Sequence, residues 1–319
     1  MDHRFCIAPM MNRTDRHCRY FHRILSKKSF LYTEMIHVNA ILRGETEQLL
    51  QYDQKEHPLA LQLGGSDPNL LAESCKISDD FGYDEINLNV GCPSSKVQKG
   101  EFGAILMKNP KLVANCVNIM SQATKTPITV KCRIGVDNTD EEKHLDRFIE
   151  EVSSAGCETF IIHARKAWLE GLSPKDNREI PPLNYERVYR LKESYPDLNM
   201  IINGGIKTKE DCLHHLQYVD GVMLGREAYD NPLILTEIDS EIFSKENKCL
   251  TRSEILKRIT PYIKKELKNG TKLFHITRHL MGLFKGFDGA KNIRKSLISL
   301  NGEMNPTDNF EFLLKKVSV

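Results

Sequence analysis

Apolar and β-branched residues gather in eight short runs along the first three quarters of the chain. They are RFCIAPM (4–10), FLYTEMI (30–36), LALQLGG (59–65), EINLNVG (85–91), ITVKCRI (128–134), TFIIHAR (159–165), NMIINGG (199–205) and DGVMLGR (220–226). Most are continuous rather than alternating, which is the pattern of parallel strands covered on one side and packed on the other. Apolar residues at helical spacing lie between them, over 68–82, 110–124, 146–156 and 209–217. Strand and helix alternating eight times in about 230 residues predict a TIM (β/α)8 barrel. A doubly wound open sheet is the alternative, and the lack of an early glycine fingerprint speaks against it. After about residue 240 the pattern changes. Residues 251–270 and 272–287 read as amphipathic helices, followed by GAKNIRKSLISL (289–300), with no further strand. The expected organisation is a barrel over 1–240 and a small C-terminal all-α helical domain over 241–319.

Composition is that of an ordinary globular chain, at 40% hydrophobic and 28% charged. No apolar run approaches the roughly 18 residues of a membrane helix, and the N-terminal stretch has no apolar core of signal-peptide length. A cytoplasmic protein is expected. The nine cysteines are dispersed with no CxxC pair, so they read as reduced thiols and not as a disulfide frame or zinc site. Charge is unevenly spread. Of 45 Lys+Arg and 43 Asp+Glu, 16 and 8 lie from residue 241 on, which leaves 29 and 35 before it. A basic segment on an acidic body suits a polyanionic partner, and equally a solvated helical face.

In a barrel of this kind the chemistry sits at the C-terminal ends of the strands. Those ends carry Pro9-Met10, Glu34, Gln62, Asn87 through Cys92, Lys131 with Arg133, His163 with Arg165, Asn203-Gly204-Gly205 and Gly225-Arg226. Glycines at two consecutive strand ends let backbone amides approach a phosphate, and Arg226 adds a charge-assisted contact. Tight βα turns would explain the same glycines. Lys131 next to an electron-rich ring would stabilise its reduced, anionic form; Gln62 can donate to and accept from a heterocycle edge. His163 alone would read as a core histidine. Together these ends suggest a phosphorylated redox heterocycle, and FMN fits better than NAD because no dinucleotide fold is present. Cys92 lies beside that ligand, at the end of the fourth strand. An ordinary thiol is protonated near neutrality, so Cys92 can serve as a general acid; a nucleophile would need an activating base.

These residues resemble those of a known family, the flavin-dependent tRNA-dihydrouridine synthases, and among them the A-type enzymes. The likeness rests on APMMNRTDRHCRYFHR, YTEMI, PLALQLGGSDP, EINLNVGCPSSKVQKGEFGAILM, VKCRIGVD, IIHARKAWLEGLSPKDNREIPPL, INGGI, DGVMLGREAYDNPLIL and RHLMGLFKGFDGAK, in this order over nearly the whole chain. The resemblance implies FMN held by Ala8, Pro9, Met10, Gln62, Lys131, His163, Asn203, Gly204, Gly205, Gly225 and Arg226. It implies NADPH as reductant, Cys92 as proton donor and Asn89 at the target uridine, position 20/20a of the tRNA D-loop. Lys175, Arg178, Lys291 and Arg294 match tRNA-contacting positions, and the two lysines make point-charge contacts and not bidentate forks. Arg13, Arg16, Arg19, Arg23, Lys96 and Lys99 are further candidates for the same groove. No metal is expected, and a monomer is. Two other readings stay open: a small-molecule pyrimidine flavoenzyme of the dihydroorotate dehydrogenase kind, and a non-catalytic RNA-binding protein.

Overall fold

The computed structural model describes residues 1–244 and 249–299. Eight parallel strands run in the order β1-β8-β7-β6-β5-β4-β3-β2. They are β1 (Phe5–Ile7), β2 (Leu31–His37), β3 (Leu59–Gly64), β4 (Glu85–Asn89), β5 (Ile128–Arg133), β6 (Thr159–His163), β7 (Asn199–Asn203) and β8 (Gly221–Leu224). Phe30 closes the seam between β1 and β2: its N–H donates to Phe5 O and its carbonyl accepts from Ile7 N, both at 2.9 Å. The chain is therefore a TIM barrel. Each strand except β2 stops before the end of its apolar run, where the chain turns into the loop above.

The wall is covered outside by helices α1 (Arg16–Leu25), α2 (Val38–Arg43), α3 (Thr46–Leu50), α4 (Pro68–Asp79), α5 (Ser95–Lys99), α6 (Pro110–Ala123), α7 (Lys143–Ser154), α8 (Tyr185–Ser194), α9 (Lys209–His215), α10 (Arg226–Asp230) and α11 (Leu235–Glu241). Their starts are written locally. Asp67 and Asn109 cap α4 and α6, each with proline in the first turn, and Thr208 with Asp211 forms a capping box on α9. Inside the barrel a separate cluster fills the axis: Cys6, Ala8, Phe30, Tyr32, Ala60, Ile161, Ile201 and Met223.

The C-terminal part is helical: α12 (Arg252–Lys268), α13 (Leu273–Thr277) and α14 (Ala290–Ser299). Residues 272–287, read as one amphipathic helix, instead break into α13 and a 3₁₀ stretch, Arg278–Phe284. Gly282 lies so close to the barrel that a Cβ there would stand 2.5 Å from Tyr229 O; contact with the barrel side outweighs local helical preference. α12 packs along α1, with Tyr20 stacked on Tyr262 at 3.8 Å between ring centroids. Among the described residues, no helix is long and apolar enough to cross a membrane, and no cluster of His, Cys, Asp and Glu could hold a metal ion.

Candidate active site

Parallel register aligns the strand ends into one rim. Gln62 pairs with Asn87, Asn89 with Lys131, Arg133 with His163, and His163 with Asn203. Gln62, Asn89, Lys131, His163 and Asn203 thus meet at the mouth, and Ala8 closes the ring by donating its N–H to Leu224 O at 2.8 Å. Lys131 Nζ donates to Asn203 Oδ1 at 3.0 Å, and Asn203 Nδ2 to Met223 O at 2.7 Å. Met10 is held by Thr14, whose Oγ1 accepts from Met10 N at 2.9 Å.

Cys92 is half-buried, where β4 has given way to loop. Asn89 Oδ1 accepts from the N–H groups of both Gly91 and Cys92, at 3.1 and 3.0 Å, which fixes the backbone that carries the thiol. Burial pushes the Cys92 thiol up; the Ser94 amide and the cations Arg133, Arg178 and Lys131 offset part of that. The group is a protonated thiol at neutral pH, as an acid requires. Burial, and then Arg133, bring Lys131 down to about 8. Burial and the cations Arg133, Lys131, Arg165 and Arg178 hold His163 well below its usual range, so its ring is neutral.

The glycines divide. Gly204 and Gly205 take φ of +115° and +74°, and a Cβ on Gly204 would sit 2.5 Å from the His163 ring. On Gly205 it would meet Leu183 at 2.6 Å and the Tyr185 hydroxyl at 2.8 Å. Backbone conformation and packing demand glycine at both. At Gly225 the nearest atom is Ala8 Cβ at 3.7 Å, so that position is open. Arg226, expected on a phosphate, pairs here with Glu179 at 2.6 Å. Arg165 donates to Pro181 O, yet its buried Nε has no hydrogen-bond partner.

The loop after β6 arches over the mouth. Buried Asn177 staples it, accepting from Trp168 N at 2.7 Å and donating to Trp168 O at 2.8 Å. Arg133 ties it to the Cys92 loop, donating to Gly91 O at 2.9 Å and to Lys166 O and Asn177 O at 3.0 Å. Arg178 is thereby close enough to Cys92 for each to perturb the other's titration, while Lys175 is exposed on the same loop. Lys291 and Arg294 are on α14, with Arg294 Nε donating to Met281 O at 3.2 Å.

Four arginines expected along a groove have other occupations. Arg19 is buried on Glu56 at 2.6 Å, and Arg23 is saturated by the carbonyls of Ser26, Ser29, Glu56 and Pro58. Arg16 pairs with Glu266 at 2.5 Å, and Arg13 with Asp230 at 3.2 Å. Sequence reasoning named Asn87 only as part of a polar strand end, without a role, and passed over Thr129, Asn177 and Tyr185. A signal for Asn87 was present: Glu85, Asn87 and Asn89 alternate with Ile86 and Leu88, placing three polar groups on one strand face.

The family model described as Dihydrouridine synthase (Dus) matches residues 6–318. The tRNA-dihydrouridine(20/20a) synthase of Escherichia coli (strain K12) is 56% identical over 295 residues, spanning 92% of this chain and 85% of that protein. The protein of the same name from Vibrio cholerae is 53% identical over 295 residues, spanning 92% and 90%. Among solved structures, a 2-naphthoyl-CoA reductase in complex with 2-naphthoyl-CoA is similar with a TM-score of 0.57 over 79% of this chain and 51% of that one. At 8% identity this is a likeness of fold alone.

Proposed function

Because the chain belongs to the dihydrouridine synthase family, we propose that it reduces the C5=C6 bond of a D-loop uridine of tRNA, at position 20/20a, with FMN reduced by NADPH. The observation that carries this reading is the 56% identity to a tRNA-dihydrouridine(20/20a) synthase over 92% of the chain. The geometry agrees with it: a protonated thiol stands at the mouth of a barrel whose rim carries the cation of Lys131.

The residues present fit a flavin mononucleotide. Ala8, Pro9 and Met10 lie on one side of the mouth and His163 with Asn203 on another. Gly204, Gly205, Gly225 and Arg226 sit at the ends of β7 and β8, the usual phosphate corner of this fold. The unpartnered Arg165 Nε is a donor awaiting an acceptor. When bound, the flavin supplies the hydride that reaches C6. Cys92 delivers the proton to C5. Asn89 has one amide hydrogen left after its bond to Gln62 Oε1 at 2.9 Å, and this hydrogen is free for a uracil carbonyl. Lys131 contributes positive charge where the reduced ring would sit. Neutral His163 can donate or accept without adding charge.

Lys175, Arg178, Lys291 and Arg294 contact tRNA in this reading, which divides the chain into a barrel over 1–240 and a tRNA-binding helical domain over 241–319. The protein works as a cytoplasmic monomer, and the base leaves its stack to reach the mouth. The test combines protein, FMN and NADPH with tRNA that lacks dihydrouridine, and maps the product. One reduced D-loop uridine is expected. A flavin-loaded protein that leaves every tRNA uridine untouched, or reduces free uridine equally well, would overturn the reading.

A further inference from the structure

β4 reads Glu85-Ile86-Asn87-Leu88-Asn89. Alternate residues of a strand share a face: Ile86 and Leu88 join the hydrophobic core, while Glu85, Asn87 and Asn89 are only 0%, 0% and 9% exposed. Buried polar groups require partners, and these find them on the neighbouring strands in one connected ladder.

Its bonds all point the same way. At the foot, Asn199 Nδ2 donates to His3 Nδ1 at 3.1 Å, which leaves His3 Nε2 to donate to Glu85 Oε2 at 2.5 Å. The hydroxyls of Tyr32 and Thr129 donate to Glu85 Oε1 at 2.9 and 2.6 Å. Thr129 has then spent its proton, so its oxygen accepts from Asn87 Nδ2 at 2.8 Å. That turns Asn87 Oδ1 toward Gln62 Nε2 at 2.8 Å, and Gln62 Oε1 toward Asn89 Nδ2 at 2.9 Å. Asn89 Oδ1 is left facing the N–H groups of Gly91 and Cys92 at 3.1 and 3.0 Å. A carboxylate only accepts, so at the foot it fixes the direction of every link above. A ladder running the other way would set the Asn89 amide nitrogen against two backbone N–H groups and release the loop that bears the thiol.

We propose that Glu85 is a positioning residue of the reaction: from the N-terminal end of the barrel it sets the orientation of the Gln62 and Asn89 amides and, through them, the seat of Cys92. This rests on the function proposed above and extends it to a residue remote from the mouth.

Direction, unlike packing, can be tested by moving the acceptor. Asn87→Asp places a second acceptor-only group above Glu85, and the single Thr129 proton cannot serve both. In the Glu85→Gln, Asn87→Asp double variant the new amide at the foot donates to Thr129, whose proton turns to the new carboxylate. That carboxylate still accepts from Gln62, so the upper rungs keep their direction. Two readouts are used: FMN affinity by flavin fluorescence, which needs no RNA, and dihydrouridine formation at saturating tRNA. Asn87→Asp should weaken FMN binding and slow the reaction, each about tenfold or more, as an unmatched buried polar contact implies. The double variant should recover most of both. A double variant as impaired as Asn87→Asp, or an Asn87→Asp enzyme equal to the wild type, overturns the proposal. If Asn87→Asp does not fold, a folded, FMN-binding double variant upholds it and an unfolded one overturns it. A wild type that binds FMN but reduces no tRNA uridine defeats the proposed function instead, and leaves the ladder to be decided by the FMN affinities.

Discussion

Cys92 is set apart by its place and not by its chemistry. Seven other thiols are buried, and Cys132, which burial pushes up to about 12, lies in the wall itself. Cys92 alone stands half-exposed at a strand end among cations. Cys92→Ala should therefore leave FMN and tRNA affinity near wild type and lower the rate of dihydrouridine formation by about 10² to 10⁴, the range of a lost general acid. An alanine variant that turns over normally would refute the assignment. The pH profile offers a second check. Lys131, at about 8, loses its charge as pH rises through that value in the ligand-free protein, so FMN affinity should fall on the alkaline side in wild type and Cys92→Ala alike. The Cys92 thiol is raised, so its proton survives to higher pH; a later decline in rate should appear only in the wild type.

Elements explain what sequence patterns could and could not supply. Eight strands were legible because continuous apolar runs ending in polar residues follow directly from burial within a parallel sheet. The 3₁₀ break in 272–287 was not, because Gly282 answers to Tyr229 and Pro232, which are distant in sequence. The glycines of the seventh strand end suit either a phosphate contact or a tight βα turn in the sequence; φ of +115° at Gly204 and its closeness to the His163 ring require glycine there in both cases. Gly204→Ala should thus lower the melting temperature as well as FMN affinity, at a cost of about 1–3 kcal/mol from strain; loss of FMN binding with full stability would show that packing is not involved. The loop after β6 carried recognisable residues, but its brace did not show in the sequence, since Asn177 works through the backbone of Trp168 and Leu172. Asn177→Ala removes those bonds, each worth roughly 1 kcal/mol net. It should raise KM for tRNA and speed proteolysis between 166 and 183; unchanged cleavage would mean the loop is held elsewhere.

At the scale of the whole molecule, the acidic body and basic C-terminal segment are joined at Asp15. Its carboxylate caps α1 through His17 N and Cys18 N, both at 3.0 Å, and reaches across to His279 at 3.0 Å and to Arg278. Burial alone would raise this carboxyl, but the His279 bond and charge, the Cys18 amide and Arg278 together hold it well below the usual carboxylate range. A depressed acid stabilises the fold fully above its unfolded value, about 3.9, and that contribution drains away as pH falls through the folded value. Asp15→Asn can still cap the helix but cannot pair with Arg278 and His279. The variant should melt several degrees below wild type at neutral pH, and the gap should shrink steadily as pH drops below about 4. Calorimetry across that range decides the point: a gap that does not vary with pH would mean that the two parts are joined by packing, such as Tyr20 on Tyr262, and not by this charge.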